Sequence, residues 1–536
     1  MKKVNHLKIV AVAGIAMLAT VACTKKLDLV PTNDITASQV YSTPEGYKQA
    51  LAKVYSAFAL TGNTGGTGNA DIPAEIIKDE GNSDFLRLYW NLQELTTDEA
   101  SWTWQNDAGI LGLHEMSWSS TNPIINGLYY RAFFQITLCN DFIRQSGDES
   151  LSGRGIGGAS ADSIRKYKAE ARFLRAYQYW ILLDLFANPP FATENDAIGT
   201  VIPKQISRND LFNYIETELK AIDADLIAPK ANEYGRADQA AAWALLARMY
   251  LNAGVYTGTA RYSDAVTYCG KVINAGYSLH PDYRELMLAD NNLNRDEFIF
   301  TINYDATYTQ DYGGTTYLTH GPAAVPGSIS GTNGSWGGLR VTENFVNLFA
   351  DPGGTTDKRA QFYTNGQNKV MADLYTGTDG FSTTKYRNVT RSGGPAPHLD
   401  PNKDFSDIDF PIFRLAEIYL IYAESVLRGG TGGDAGTALG YINQLRARAY
   451  GNASGNISPG ELTTDFILDE RARELYYEGF RRTDLIRYGK FTTATYLWAW
   501  KGGIKQGTSV ADKYNIFPIP TTDLSSNPNL IQNSGY

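Results

Sequence analysis

The chain has 536 residues, a formal net charge of -9 and 12% aromatic residues, including 34 tyrosines. An acidic chain without a run of lysine or arginine lacks the clustered cations that nucleic-acid phosphates require, which excludes a nucleic-acid-binding class. Three cysteines in 536 residues exclude a disulfide framework.

The N-terminus has the pattern of a lipoprotein signal peptide. Three lysines precede an apolar run at residues 9–18, which is too short to span a bilayer, and small residues lead into Cys23. We therefore expect residues 1–22 to be removed, which changes the net charge from -9 to -12, and Cys23 to carry lipid that anchors the protein without spanning the membrane. The alternative is an ordinary signal peptide with a chance cysteine, because Thr20 stands where lipoboxes usually have leucine.

Helical periodicity begins after a polar tether at residues 23–40. A proline opens the first predicted helix, residues 44 to about 60. A second covers 163–186 and is stopped by a proline pair, which cannot continue a helix. A third covers 210–226, with Ser207 placed to cap it in a capping box.

Three later stretches have the small-residue and aromatic spacing of tetratricopeptide units, in which two antiparallel helices pack with alanines at the contact. The predicted pairs are 236–253 with 262–275, 414–427 with 437–449, and 466–477 continuing to 491. Because such pairs stack into one continuous core, the sequence predicts a mainly α fold with a helical scaffold.

Several large or sulfur-containing residues are predicted to belong to the core. Trp90, Trp180 and Trp243 lie in helical or apolar patterns. Cys139 and Cys269 do as well, so we expect two buried thiols, with a single disulfide as the alternative.

Residues 277–410 have a different composition, because Gly, Thr, Asn and Tyr replace Ala and Leu. One strand is predicted at 297–303, and most of the remainder is predicted to form long loops. Long loops in a compact protein are usually functional or disordered, and the aromatic content here favours function.

Two short motifs in the chain suggest ligands only weakly. Asp290, Asn292, Asn294 and Asp296 alternate like the front of a calcium loop. Arg295 replaces the required glycine and the closing glutamate is missing, so an EF-hand is excluded; a looser calcium contact and a plain polar turn stay open. GRGIGG at 153–158 follows no strand, so we interpret it as a flexible entry to the next helix and not as a dinucleotide site.

Three C-terminal segments resemble the signature segments of SusD/RagB proteins: FPIFRLAEIYLIYAESVL, LDERARELYYEGFRRTDLIRYGKF and FPIPTTDLSSNPNLIQNSGY. Proteins of that family are glycan-binding outer-membrane lipoproteins of Bacteroidetes. The resemblance implies a tetratricopeptide-like half, an irregular half that holds the ligand, no cofactor, no catalysis, and a TonB-dependent transporter of the SusC type as partner. It divides the mature chain after the tether into an N-terminal region at 41–276, a ligand-binding region at 277–410 and a C-terminal region at 411–536.

The resemblance extends to the starch-binding type of the family, which holds α-glucan with two tryptophans, a tyrosine and polar side chains. The order and spacing of these residues imply the following ligand-binding set: Asp79, Arg87, Trp102, Trp104, Asn106, Asp107, Tyr312 and Trp336. Tyr312 and Trp336 lie in Gly-rich contexts, the latter in GTNGSWGGL. Whether Trp102 or Trp104 stacks on the sugar stays open, as does the choice between Asn106 and Asp107.

The chemistry of a glucan fits these residue types. A pyranose ring has a face of C–H groups on which an indole or phenol stacks, and a rim of hydroxyls. Arg87 can donate two parallel hydrogen bonds to neighbouring hydroxyls, and Asp79 can orient it or accept from the sugar. Two other classes stay open: a glycoside hydrolase, which needs only two carboxylates brought together by folding, and a purely structural partner of a transporter.

Overall fold

The computed structural model describes residues 37–63, 70–197, 199 and 201–536. The predicted signal peptide, Cys23 and most of the tether lie outside the described residues. Across these ranges, no helix is both long enough and apolar enough to cross a membrane.

The described chain is mainly helical. In chain order the α-helices are α1 Ala37–Val40, α2 Pro44–Ser56, α3 Phe85–Glu94, α4 Ile110–His114, α5 Pro123–Gln145, α6 Asp148–Gly153, α7 Gly158–Leu185, α8 Arg208–Ala221, α9 Gln239–Leu251, α10 Ala253–Thr257, α11 Tyr262–Ile273, α12 Gly314–His320, α13 Gly327–Ser330, α14 Glu343–Val346, α15 Leu415–Leu427, α16 Ala435–Tyr450, α17 Thr464–Leu475, α18 Arg481–Arg487 and α19 Thr521–Ser526.

The strands are short and pair two by two. They are β1 Ser101–Trp102, β2 Pro190–Phe191, β3 Lys204–Gln205, β4 Phe298–Ile302, β5 Leu339–Arg340, β6 Phe362–Tyr363, β7 Ser382–Thr383 and β8 Phe410–Arg414. All four pairs are antiparallel: β1 with β5, β2 with β3, β4 with β8 and β6 with β7. The fold class is therefore as predicted, with a helical scaffold and few strands.

The first two predicted helix pairs form one stack. Helix α9 packs on α11, α11 on α15, α15 on α16, and α17 packs on α15 as well. The third predicted pair differs, because the chain breaks after α17, where Tyr477 and Gly479 have φ angles of 62° and 85°. The short helix α18 that follows packs on α3 and α10 instead. The division at residues 276 and 410 stays a prediction.

Local sequence signals set the helix ends. The Ser207 Oγ atom accepts the Asp210 amide at 3.1 Å, so the predicted cap of α8 is confirmed. Helix α7 begins at Gly158, inside GRGIGG and before the predicted residue 163. Helix α2 is capped by Thr43 and ends at Ser56, earlier than predicted. Strand β4 lies within the predicted range.

The signature segment around α17 supplies a buried ion-pair cluster. The Arg414 guanidinium contacts the carboxylates of Glu297 at 3.0 Å and of Glu474 and Glu478 at 2.7 Å each. All four side chains are at most 1% exposed. Buried charges require this degree of pairing, so the cluster specifies how α17, β4 and β8 meet.

The core predictions are confirmed. Trp90 and Trp180 are 0% and 1% exposed, and Trp243 is half-buried against the same core. Cys139 and Cys269 are buried free thiols, so the alternative of a disulfide is wrong.

Candidate functional site

Asp84 joins the two segments that carry the candidate site. Its Oδ1 atom accepts the Arg87 amide at 2.8 Å, which caps α3, and the Gly314 amide at 2.7 Å, which begins α12. The carboxylate is wholly buried, and burial raises its pKa. Through Asp84, the first turn of α3 is held close to Tyr312, which lies two residues before α12.

Arg87 lies on the first turn of α3 and is 8% exposed. Its Nη1 atom donates to the Tyr312 carbonyl at 2.9 Å, and its guanidinium stacks on the Tyr317 ring at 4.5 Å. The same group lies 6.0 Å from the centre of the Trp336 ring. Its Nε atom has no partner among the described residues. Arg87 therefore lies beside Trp336 and the Tyr312 backbone, with an Nε atom that is buried and unpaired in the described part of the chain.

Tyr312 and Trp336 are brought together by the fold, as a tilted pair of half-buried rings. Their centroids are 6.2 Å apart, with 58° between the planes. The Trp336 ring rests on His320, and the Tyr312 ring contacts Phe405 at 5.4 Å. Each ring is thus supported by a neighbouring aromatic ring, and each residue remains partly exposed.

The two candidate tryptophans of the 102–107 segment have different environments. Trp102 is 1% exposed, and its Nε1 atom donates to Asp107 at 2.9 Å. Trp104 is 45% exposed and packs edge-on against Trp102 at 5.3 Å. Only Trp104 can offer a ring face to a ligand in this structure. Trp102 supports it from the core, which argues against the prediction that Trp102 stacks on the sugar.

Pairing of β1 with β5 places this segment beside the Trp336 loop. Trp102 is in register with Leu339, and the Thr103 amide donates to the Gly338 carbonyl at 3.0 Å. A Cβ atom on Gly338 would lie 2.2 Å from the Trp102 ring, so the backbone rests directly on the indole. We name the surface of Trp104, Arg87, Tyr312 and Trp336 the ring site.

The polar candidates at the edge of the ring site also differ in exposure and in hydrogen bonding. Asn106 is exposed, with no side-chain hydrogen bond among the described residues, whereas an Asp107 oxygen is occupied by Trp102. Burial raises the pKa of Asp107; the Trp102 bond and the Arg87 charge lower it, and Asp79 raises it. Asp79 is exposed and accepts the Asn82 amide at 3.1 Å, and across the described residues it forms no ion pair with Arg87. In this structure Asp79 does not pair with Arg87, and its alternative role, to accept a hydrogen bond from the sugar, stays a prediction.

In the segment with the calcium-loop pattern, the Arg391 guanidinium occupies two of the candidate ligand residues. Arg391 donates to an Asp290 oxygen at 3.1 Å and to the Asn294 Oδ1 atom at 2.9 Å. The Asn294 Nδ2 atom donates to the Glu285 carbonyl at 3.1 Å. The structure therefore favours the polar-turn interpretation of this segment.

A separate trio of metal-ligand type lies elsewhere. Ligand atoms of Asp305, His398 and Asp407 come within 4.8 Å of one another, the one such group that the described ranges contain. The Asp407 carboxylate already accepts the amides of Ala306 at 2.8 Å and His398 at 2.6 Å. In this structure the trio holds the segment that leads to Tyr312.

Sequence reasoning missed three residues that shape the ring site: Tyr317, His320 and Phe405. Tyr317 and His320 are three residues apart on α12, a spacing that places them on one helix face, so that pattern was readable. Phe405 lies in a loop without periodicity, and no local signal marked it.

Comparisons with known proteins identify the relatives of this chain. A family model described as the SusD family matches residues 373–536. The "Starch-binding protein SusD" of Bacteroides thetaiotaomicron is 36% identical over 581 residues, covering 100% of this chain and 99% of the relative. A "SusD-like protein" of Bacteroides ovatus is 22% identical, covering 90% of this chain and 83% of the relative.

Solved structures share the fold. A SusD superfamily protein from Parabacteroides distasonis has a TM-score of 0.70 at 20% identity, covering 94% of this chain and 100% of that chain. The surface glycan-binding protein A from Bacteroides thetaiotaomicron, in complex with laminarihexaose, has a TM-score of 0.67 at 21% identity, covering 91% and 99%. The helical scaffold, the signature segments and the full-length relative together show that the chain belongs to the SusD family, whose members are non-catalytic glycan-binding proteins of the cell surface.

Proposed function

We propose that the ring site binds starch or maltooligosaccharides. The observation that carries this proposal is the 58° tilt between the Tyr312 and Trp336 rings. An α-1,4-glucan coils, so successive glucose units present faces that turn relative to one another. Tilted rings can follow such a curve, whereas a straight, flat chain fits a coplanar row. The 36% identity with a starch-binding relative supports the same ligand.

The expected energetics are those of a weak site. A stacked aromatic ring contributes on the order of 1 to 3 kcal/mol, mainly through buried apolar area. Trp104, Trp336 and Tyr312 would supply three such contacts, less the entropic cost of association. Arg87 would donate to sugar hydroxyls through its Nη2 atom, which forms no hydrogen bond among the described residues, and Asn106 would supply an amide at the exposed edge.

Charge around the ring site favours a neutral glycan. Asp79 acts on Asp107 at one side, and Asp400 and Asp404 raise the pKa of Tyr312 at the other, after burial. These four carboxylates outnumber the nearby cations Arg87 and Lys403, so an anionic polysaccharide would be repelled. A starch chain carries no charge and meets no such barrier.

The wider role of the protein is also part of the proposal. Cys23 would carry the lipid anchor in the outer membrane, with the protein facing the outside, and a SusC-type TonB-dependent transporter would receive the glucan. Loss of lipid labelling in Cys23→Ser, measured in intact cells, tests the anchor. Copurification with an outer-membrane β-barrel tests the transporter.

The first experiment is affinity electrophoresis of the protein lacking residues 1–23. Gels contain amylopectin, β-glucan, levan or xylan, and Trp336→Ala runs beside the parent protein. Retardation by amylopectin that Trp336→Ala loses is the expected result. Retardation by another glycan alone would identify a different ligand, and no retardation by any glycan would favour a structural partner of the transporter.

A further inference from the structure

His320 contacts the ring site only from inside, because it is 1% exposed. Its carbonyl accepts the Trp336 amide at 2.7 Å, and its imidazole stacks on the Trp336 indole. Its Nδ1 atom lies 2.8 Å from the Gly334 carbonyl, and its Nε2 atom lies 3.1 Å from the Asp404 carbonyl. One buried side chain therefore contacts two loops and one of the proposed sugar-binding rings.

The two loops hold the two central rings. Gly334 belongs to the loop that carries Trp336, and Asp404 precedes Phe405, which supports the Tyr312 ring. The loops also meet directly, because Asn333 donates to the Asp404 carboxylate at 2.5 Å. A change at His320 would therefore alter the positions of both the Tyr312 and the Trp336 rings.

The proton on His320 matters because both of its ring nitrogens face carbonyl oxygens. A neutral imidazole has one N–H and can donate to only one of them, whereas an imidazolium donates to both. His114 shows the opposite case: one ring nitrogen faces the Leu95 carbonyl at 3.0 Å, and the other accepts the Trp102 amide at 2.8 Å. Neutral His114 is fully bonded, and neutral His320 is not.

The charges that face His320 come from one loop. Burial lowers the pKa of His320 below its ordinary value; the two carbonyl contacts and the carboxylates of Asp404 and Asp400 oppose this shift without cancelling it. Lys403 lies on the same loop, and the Arg87 guanidinium lies 6.0 Å from the centre of the Trp336 ring. The remainder of α12 and the loop of residues 331–338 carry no charged side chain.

We propose that His320 is a positioning residue of the ring site, which fixes the Trp336 loop against the Asp404 loop and does so most firmly when it is protonated. The proposal rests on the proposed glucan function for its effect on affinity, but not for its effect on Trp336 itself. Affinity for a neutral glucan should then rise as the pH is lowered and His320 takes up its proton.

The structural arm of the test needs no ligand. The protein is labelled with 5-fluorotryptophan, and the resonance that disappears in Trp336→Phe is assigned to Trp336. We expect this resonance to titrate in the parent protein as the pH is lowered from about 7 to about 4.5, because burial holds the pKa of His320 below the ordinary histidine value of 6.5, and to be pH-independent in His320→Phe. His280→Phe is the matched control, because the His280 imidazole contacts Glu285 and Asp296 instead, and it should leave the Trp336 titration unchanged.

The functional arm measures maltoheptaose affinity by calorimetry over the same pH range. His320→Phe retains an aromatic face for Trp336 but loses both hydrogen bonds, so affinity should fall about tenfold and lose its pH dependence. His320→Gln, which retains an N–H donor, should restore part of that loss. If stacking alone positions Trp336, the Phe variant will bind as the parent does, which would overturn the proposal.

The outcomes separate the two proposals. A Trp336 resonance that does not titrate in the parent protein overturns the role of His320, even if starch binds. Absence of maltoheptaose binding in the parent protein overturns the glucan assignment, and the resonance still decides whether His320 positions Trp336. Should His320→Phe fail to fold, His320→Gln, which also lacks a titrating ring, replaces it in the resonance test.

Discussion

The Trp336 indole lies face to face on the His320 imidazole, with ring centroids 4.9 Å apart and 14° between the planes. A half-buried tryptophan on a Gly-rich loop is thereby held by a wholly buried histidine at the end of a helix. This arrangement explains how a loop without helical or strand periodicity can present a ring in a defined orientation. Ligand-binding side chains commonly lie on loops that a rigid scaffold positions.

Replacement of the two neighbouring tryptophans should have opposite consequences. Trp104→Ala removes an exposed ring, so we expect weaker retardation by amylopectin and a free energy of unfolding changed by no more than about 0.5 kcal/mol. Trp102→Ala empties the space beneath Gly338 and should lower the free energy of unfolding by about 3 to 5 kcal/mol. Trp243→Ala, on the scaffold, should lower stability without weakening glycan binding in the folded protein. Unchanged binding in Trp104→Ala would remove that residue from the ring site.

Arg87→Lys should weaken glucan binding although it conserves the charge. A lysine cannot both donate to the Tyr312 carbonyl and stack its head group flat on the Tyr317 ring. We expect a loss of about tenfold in maltoheptaose affinity by calorimetry, the size of one charged hydrogen bond. Arg428→Lys is the matched control, because Arg428 also stacks on a tyrosine, Tyr488, at 4.5 Å but lies at the end of α15. Equal losses in the two variants would indicate a general effect of replacing arginine.

Gly338→Ala should disrupt the ring site through Trp102. The added Cβ atom would lie 2.2 Å from the Trp102 ring, in a region packed with aromatic atoms. We expect a melting temperature lowered by several degrees and weaker binding, because Trp104 rests on Trp102. In contrast, a Cβ atom on Gly440, inside α16, meets nothing within 4 Å, so Gly440→Ala should stabilise the protein by about 0.5 to 1 kcal/mol. A Gly338→Ala protein that melts and binds like the parent would contradict the close approach.

The buried ion-pair cluster should make the protein sensitive to acid. Burial opposes the charge on Glu474, but the guanidinium groups of Arg448, Arg414 and Arg359 outweigh it and hold the pKa of Glu474 below its ordinary value. A carboxylate with a depressed pKa in the folded state stabilises the protein above the pKa of the unfolded chain, and this contribution is lost as the pH falls below about 4.5.

Urea unfolding between about pH 7 and about pH 3 measures this dependence. Glu474→Gln should lower the free energy of unfolding at neutral pH by about 3 to 5 kcal/mol, because three buried arginines lose a partner, and should flatten the acid dependence. Glu75→Gln replaces an exposed glutamate that forms no ion pair among the described residues and should leave the acid dependence intact. An unaltered acid slope in Glu474→Gln would show that other carboxylates govern acid unfolding.

The sequence by itself determined the helical scaffold and the kind of surface that the protein carries. Helix periodicity, the Ser207 cap and the proline stop after α7 act between near neighbours in the chain, so they are readable without a structure. The glycines around Trp336 in the sequence predicted that this ring lies on a loop and not in a helix. The signature segment around α17 was recognisable as well. The sequence did not show that its charged side chains are buried together.

Only the tertiary structure decided which side chains form the ring site. Trp102 and Trp104 are two residues apart and look equivalent in sequence, yet pairing of β1 with β5 lays Gly338 on the first ring and leaves the second in solvent. Arg87 and His320 obtain their orientation from contacts with segments far away in the chain. Burial and hydrogen bonding of this kind depend on which segments, distant in sequence, pack against a residue. The local sequence pattern around that residue does not specify them.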